Sequence, residues 1–338
     1  MRRRIDVDAL AAQVSDGQRA GIAQAITLVE SSLPAHRPLA RALLARLLPR
    51  AGKATRVGLT GVPGAGKSTF IDALGCRLIE AGHRVAVLAV DPSSTRTGGS
   101  ILGDRTRMGK LSESDDAYIR PSPSGCHLGG VARATREAMI IVEAAGFDTV
   151  IVETVGVGQS EVAVAGMVDT FLLLALAGAG DQLQGIKRGI LELADVIAVN
   201  KADGDNAGQA RVTARDLSIA MKLINDESSG RRTPVLTCSA LTGQGLDEVW
   251  DAVGEHRSWV EETVGLQRRR ADQQVDWMWA QIEGAVVDSL RSTPQLASLG
   301  HELAAQVGTS SLSALDASAR FLSAYAGEVP GFGWQDAD

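Results

Sequence analysis

The sequence predicts an α/β fold with a mostly parallel β-sheet flanked by helices. From Val57 onward, short β-branched or Leu-rich runs alternate with helical stretches, which is typical of parallel sheets. A Gly-rich segment joins the first of these runs to an apolar helix. In the 338 residues, 45% are hydrophobic and 22% charged, as in ordinary folded proteins, which excludes wholesale disorder. The net charge of -6 argues against a protein that coats nucleic acid, and we expect no nucleic-acid partner.

Before the first strand, residues 1–50 are expected to form a helical N-terminal extension. Ile22, Ile26 and Val29 are three or four residues apart, as on one face of a helix, and Pro34 and Pro38 mark breaks.

Residues 51–260 are expected to form the α/β core, because they hold all the predicted strands. The segment between Asp91 and Gly130 is rich in Ser, Gly, Pro, Arg and Asp, so we expect mobile loops there. The predicted strands are Val57 to Leu59, Val85 to Val90, Val150 to Val152, Phe171 to Leu176, Val196 to Val199 and Val235 to Leu236.

After the last strand, residues 261–338 predict a helical C-terminal arm and tail. Apolar residues recur every three or four positions, which predicts an apolar stripe on one helix face. Trp277 lies off this stripe and suggests a second contact surface. The stripe consists of Val275, Met278, Trp279, Ile282, Val286 and Leu290.

The sequence favours a cytoplasmic protein with no membrane partner. Cys76, Cys126 and Cys238 match neither a zinc site nor a disulfide framework. The longest apolar run, Phe171 to Ala179, is about half of what a membrane-spanning helix needs. The basic start at Arg2 is followed by acidic residues rather than by an apolar signal core.

A complete P-loop pattern follows the first predicted strand. Glycines in such a loop let backbone N–H groups surround a phosphate, and the following helix contributes its dipole. Lys67 is expected to contact the β- and γ-phosphates, and Ser68 to ligate Mg²⁺. The segment reads Gly61-Val62-Pro63-Gly64-Ala65-Gly66-Lys67-Ser68.

The base is predicted to be guanine. The tetrapeptide Asn200-Lys201-Ala202-Asp203 follows an apolar strand, where the fold brings a loop over the base. The Asp203 carboxylate matches the N1–H and N2 donors of guanine, whereas adenine would leave it unpaired. Asn200 is expected at N7, and the stem of Lys201 beside the ring. Guanine O6 is assigned to a backbone N–H in the segment of Ser239, Ala240 and Leu241.

Three acidic residues are candidates for the Mg²⁺ site beside Ser68. Asp91, Asp104 and Glu153 are expected at the carboxyl edge of the sheet, where open α/β folds bind ligands. Glu153 also begins a segment through Gly156 that can sense the γ-phosphate. Spacing does not identify the residue that positions water or offsets charge; the candidates are Gln159, Arg105, Arg107 and Lys187.

These residues resemble those of the MeaB/ArgK-type GTPases, called methylmalonic aciduria type A protein in animals. The similarity covers about residues 20 to 290. The motifs that carry it are Gly61 to Thr69, Ala89 to Ser94, Gly98 to Asp104, Arg120 to Pro123, Glu153 to Ser160, Gly178 to Asp181, Gln184 to Lys187 and Asn200 to Asp203.

The resemblance implies a homodimeric chaperone that hydrolyses GTP to GDP and phosphate and has a C-terminal dimerisation arm. Its partner would be an adenosylcobalamin-dependent methylmalonyl-CoA mutase, or an isobutyryl-CoA-type mutase, with recruitment of an adenosyltransferase left open. The GTPase cycle would serve cofactor loading, protection and reactivation. The Mg²⁺ acids of the family correspond to Asp91, Asp104 and Glu153. Asp181, Gln184 and Lys187 fall in an additional switch, which favours Lys187 for partner-stimulated hydrolysis.

Two other functions stay open. One is an ATP-dependent kinase of amino-acid transport binding proteins, against which Asn200 and Asp203 argue. The other is a metallochaperone GTPase using Cys126 and His127, although no second Cys/His cluster accompanies them.

Overall fold

The computed structural model describes residues 5–31, 33–90, 108–121, 128–154, 160–177, 188–224, 231–290 and 293–328. The chain divides into two compact units, Met1–Arg270 and Ala271–Asp338. The larger unit contains the sheet. The organisation into residues 1–50, 51–260 and 261–338 stays a prediction.

Seven described strands form one sheet in the order β3-β2-β4-β1-β5-β6-β7, and every neighbouring pair is parallel. The predicted α/β class with a parallel sheet is confirmed. β1 lies at the centre, between β4 and β5, so the loop after β1 emerges from the middle of the carboxyl edge. The strands are β1 Thr55–Gly61, β2 Val85–Val90, β3 Ala117–Arg120, β4 Thr149–Thr154, β5 Thr170–Leu176, β6 Val196–Asn200 and β7 Val235–Thr237.

One expectation is wrong for the residues that the structure describes, 108–121 and 128–130. The segment between Asp91 and Gly130, expected to be loops, contains β3 and the short helix Gly109–Glu113. β3 has only four residues and pairs with β2 alone, at the edge of the sheet. An edge strand of this length has too few residues to produce a recognisable periodicity.

Helices cover both faces of the sheet. Side chains alternate between the two faces along each strand, so apolar side chains on both faces are buried against helices. Val150 and Val152 of β4 pack in the core on one side with α1–α3 and α6, whereas Ile151 packs on the other side with α4 and α10. The helices of the larger unit are α1 Val7–Ser15, α2 Arg19–Glu30, α3 Arg37–Leu47, α4 Lys67–Glu80, α5 Gly109–Glu113, α6 Leu128–Ala144, α7 Ser160–Ala165, α8 Arg188–Leu193, α9 Ala207–Ile224 and α10 Leu246–Thr263.

A buried ionic network lies at the amino edge of the sheet, opposite the P-loop. Arg270 donates to both carboxylate oxygens of Asp169, at 2.8 and 2.6 Å, and both side chains are almost fully buried. The same guanidinium donates to the carbonyls of Gly52 and Ala54, each at 2.6 Å. Arg56 donates its backbone N–H to Asp169 at 2.9 Å. The residues before and within the start of β1 are thus bonded to one buried ion pair.

α11 Leu266–Ser289 begins in the larger unit and continues into the smaller one, where α12 Pro294–Gly308 and α13 Ala314–Glu328 follow. Ser289 and Tyr325 share a hydrogen bond of 2.6 Å between their hydroxyl groups. The stripe residues Val275, Met278 and Trp279 are about half exposed, at 52%, 48% and 55%. The apolar stripe therefore leaves a large part of its surface open to solvent.

Candidate nucleotide site

The P-loop lies between the central strand β1 and α4. Gly66, with φ +87°, is the residue before α4, and its left-handed conformation turns the chain into the helix. Its position is also crowded, because a Cβ on Gly66 would lie 2.8 Å from Asn200 Nδ2. A Cβ on Gly61 would collide with the backbone carbonyl of Leu174 on β5. Both positions therefore require glycine. Gly66 is needed for its backbone conformation and because there is no room for a side chain, and Gly61 only because there is no room.

Lys67 is held against the loop that precedes it. Its Nζ donates to the Gly61 carbonyl at 2.7 Å. Burial lowers the pKa of the Lys67 ammonium, while the negative charges of Glu153 and Glu161 act to raise it. The ammonium is thus a partly desolvated cation at the start of α4, where a phosphate would add a compensating negative charge. Glu161 is almost fully buried, and no sequence pattern indicated that it lies near the Lys67 ammonium.

Ser68 and Glu153 come together at the carboxyl end of β4. Ser68 Oγ lies 3.5 Å from Glu153 Oε1, and the Glu153 side chain is buried. Thr154 next to it donates to Thr60 Oγ1 at 2.9 Å, which links β4 to the end of β1. A hydroxyl and a carboxylate are hard oxygen donors, and Mg²⁺ commonly takes only one or two protein ligands beside phosphate oxygens and water. The two residues therefore fit a magnesium site.

Asn200 joins three segments of the site. Its Nδ2 donates to the carbonyl of Ala65 in the P-loop at 2.8 Å, and its Oδ1 accepts from the N–H of Ala240 at 3.0 Å. The side chain is 1% exposed. It therefore ties the P-loop to the segment after β7, a role that the tetrapeptide pattern did not indicate.

Asp203 and Ser239 meet across the expected base site. Ser239 Oγ donates to Asp203 Oδ1 at 2.6 Å, which orients the carboxylate and leaves Oδ2 for another donor. Lys201 is exposed and adopts φ +62°, an uncommon conformation for a residue with a side chain. Leu241 is 81% exposed. The N–H groups of Ser239 and Ala240 already donate to Gln244 and Asn200, so the assignment to guanine O6 stays a prediction.

Several predicted site residues lie outside the described residues, so their roles stay predictions. They are Asp91, Asp104, Arg105, Arg107, Cys126, His127, Gly156, Gln159, Asp181, Gln184 and Lys187. Among the side chains that the structure does describe, no three of His, Cys, Asp or Glu converge as a metal site. Cys76 and Cys238 are free thiols, and burial raises the pKa of Cys238 to about 12. Within the described ranges no helix is long and apolar enough to cross a membrane.

Comparison with known proteins identifies the family. Residues 22–295 match the family model described as methylmalonyl-CoA mutase-associated GTPase MeaB. The chain belongs to the MeaB family. A probable GTPase of Mycobacterium bovis is 60% identical over 301 residues, which cover 89% of this chain and 90% of that protein. The mouse mitochondrial methylmalonic aciduria type A homolog is 47% identical over 300 residues, covering 86% of this chain and 72% of that protein.

A solved structure supports the fold. The crystal structure of a protein named LAO/AO transport system kinase superposes with a TM-score of 0.77 at 37% identity. The match covers 95% of this chain and 98% of that one. This MeaB family member is a P-loop GTPase that binds guanine nucleotide.

Proposed function

We propose that this MeaB family protein couples its GTPase cycle to an adenosylcobalamin-dependent acyl-CoA mutase of the methylmalonyl-CoA or isobutyryl-CoA type. The observation that carries the proposal is the family match over residues 22–295, because the family is named for its association with the mutase. The mouse relative is named for methylmalonic aciduria. In this role the protein promotes cofactor loading, protection and reactivation of the mutase.

The described residues support a division of roles in GTP hydrolysis. Lys67 neutralises charge on the β- and γ-phosphates, and Asp203, oriented by Ser239, selects guanine. Ser68 and Glu153, with Asp91 and Asp104, hold Mg²⁺, which would supply further charge neutralisation at the phosphates. Asp181, Gln184 and Lys187 belong to a switch that responds to the mutase, and Lys187 acts in the stimulated reaction.

We also propose that the protein forms a homodimer through its C-terminal arm. The exposed stripe of Val275, Met278, Trp279 and Ile282 on α11 supports it, because contiguous apolar surface on a helix favours association. Analytical ultracentrifugation of the protein and of a Trp279→Glu, Ile282→Glu double variant tests the dimer. A wild-type monomer at micromolar concentration would contradict it.

The function is tested by measuring GTP turnover, with ATP as the control substrate, for the protein alone and with the mutase. We expect slow turnover of GTP alone that rises when the mutase is added. Lys187→Ala should keep the basal rate and lose the stimulation, whereas Lys222→Ala, at an exposed lysine of α9, should keep both. GTP turnover that does not respond to the mutase would contradict the coupling.

A second candidate is an ATP-dependent kinase of amino-acid transport binding proteins. The name of the solved relative favours it. Adenine, however, presents an acceptor at N1 and no donor at C2, so the Asp203 carboxylate would remain unpaired. Faster turnover of ATP than of GTP, with transfer of phosphate to a binding protein, would favour the kinase.

A further inference from the structure

The register between β1 and β4 ends before either strand does, beside the nucleotide site. The last residues paired across these two strands are Leu59 and Glu153. Beyond that point β1 continues along β5 as far as Gly61, whereas β4 continues along β2 as far as Thr154. Thr60 and Thr154, the next residues of the two strands, therefore lie just past the register that joins β1 to β4.

A hydrogen bond between two buried hydroxyl groups joins the strands at this point. Thr154 Oγ1 donates to Thr60 Oγ1 at 2.9 Å, and the two residues are 0% and 1% exposed. Valine has nearly the same shape as threonine and could be buried here without a polar group, whereas a buried hydroxyl must form a hydrogen bond to offset its lost hydration. The need to fill space therefore does not account for two hydroxyl groups at these positions.

The hydroxyl bond lies next to two parts of the nucleotide site. Glu153 precedes Thr154, and its side chain lies on the opposite face of β4 because side chains alternate along a strand. Glu153 Oε1 lies 3.5 Å from Ser68 Oγ on that face. Gly61, which follows Thr60, is the first residue of the P-loop. The bond thus holds the backbone beside the candidate metal ligand of β4 to the backbone from which the P-loop begins.

We propose that Thr154 is a positioning residue for the magnesium site and acts through Glu153. Its bond to Thr60 holds the end of β4 against the end of β1, so that the Glu153 carboxylate and the Ser68 hydroxyl stay close enough to bind one cation. Thr154 itself contacts neither the metal nor the nucleotide in this arrangement. The inference rests on the Mg²⁺ site proposed above for Ser68 and Glu153.

The test measures how the release of fluorescently labelled GDP from the full chain depends on the Mg²⁺ concentration. Mg²⁺ held between the protein and the phosphates slows this release, so the Mg²⁺ concentration of half-maximal effect reports the affinity of the metal site. Thr154→Val removes the donor and keeps the shape of the side chain. We expect it to raise that concentration roughly tenfold or more, as changes to groups that orient metal ligands do. Thr154→Ser keeps the hydroxyl and should restore the wild-type value.

Thr149→Val is the matched control. Thr149 is the buried first residue of the same strand, and its hydroxyl also forms a hydrogen bond, to Asp148 Oδ1 at 3.0 Å. This variant should leave the Mg²⁺ dependence unchanged. An equal increase in Thr149→Val and Thr154→Val would assign the effect to strand stability and overturn the proposal. If Thr154→Val does not fold, Thr60→Val removes the acceptor instead, and an unchanged Mg²⁺ dependence in that variant would overturn the proposal as well.

The same measurement separates the role of Thr154 from the magnesium site on which it rests. GDP release from the wild type that does not respond to Mg²⁺ would refute the site of Ser68 and Glu153, and the role of Thr154 with it. A Mg²⁺ response of the wild type that is the same in Thr154→Val would refute only the role of Thr154.

Discussion

Asn200 should be needed for the stability of the empty protein as well as for nucleotide binding. Its side chain links Ala65 and Ala240 through bonds of 2.8 and 3.0 Å, and those two residues are 0% and 8% exposed. Asn200→Ala leaves the Ala65 carbonyl and the Ala240 N–H without these partners. Each buried polar group that loses its hydrogen-bond partner destabilises the fold by about 1–3 kcal/mol. With both the Ala65 carbonyl and the Ala240 N–H left unpaired, the free energy of unfolding should fall by about 2–6 kcal/mol.

The assay is urea unfolding followed by circular dichroism, without nucleotide and with saturating GDP. Asn200→Ala should lower the midpoint in both conditions. Asn206→Ala is the matched control, because Asn206 is exposed in the neighbouring 3₁₀ helix and should change stability by less than about 0.5 kcal/mol. If Asn200→Ala leaves the nucleotide-free midpoint unchanged and lowers only GDP affinity, Asn200 acts on the base alone and the reasoning is refuted.

Three further predictions test single positions. Asp203→Asn should shift the nucleotide-binding preference from GTP towards XTP, measured by competition for binding. Unchanged selectivity would show that Asp203 does not contact the base. Gly66→Ala should destabilise the nucleotide-free protein more than Gly64→Ala, because both have positive φ but only the Gly66 Cβ meets an atom, Asn200 Nδ2. Burial raises the pKa of Glu137 to about 7, so wild-type stability should fall as the pH rises from about 4.5 through 7. Glu137→Gln should be more stable by ~3 kcal/mol at pH 8, from a pKa raised by about 2.5 at about 1.36 kcal/mol per pKa unit, and equal near pH 4 in urea unfolding.

Elements with a strong local signal could be predicted from the sequence. β2 was predicted with its observed bounds, Val85–Val90, because all six of its residues are apolar and buried. The glycines and Lys67 of the P-loop are contiguous, so their spacing alone defines the motif. β3 was missed because its four residues lie at the edge of the sheet in an otherwise polar region, where neither length nor periodicity distinguishes a strand.

The parts of the site that could not be predicted depend on contacts between distant residues. The bond from Asn200 to Ala65 spans 135 positions, and the bond from Ser239 to Asp203 spans 36. A sequence pattern indicates that Asn200 belongs to a nucleotide site but not that both ends of its amide are used within the protein. The buried position of Glu161 has the same origin, because it depends on how α7 packs against the sheet.

The ion pair at the amino edge helps to explain how the phosphate loop is kept in place. Arg270 satisfies Asp169 and two backbone carbonyls, and Asp169 also accepts the N–H of Arg56, so the buried charges are well compensated. These bonds fix where β1 begins relative to β5. The strand then runs about 20 Å, at roughly 3.3 Å per residue, to the P-loop. Because phosphate-binding N–H groups must be positioned to within about 0.5 Å, a strand fixed at its start and bonded along both edges provides the necessary rigidity.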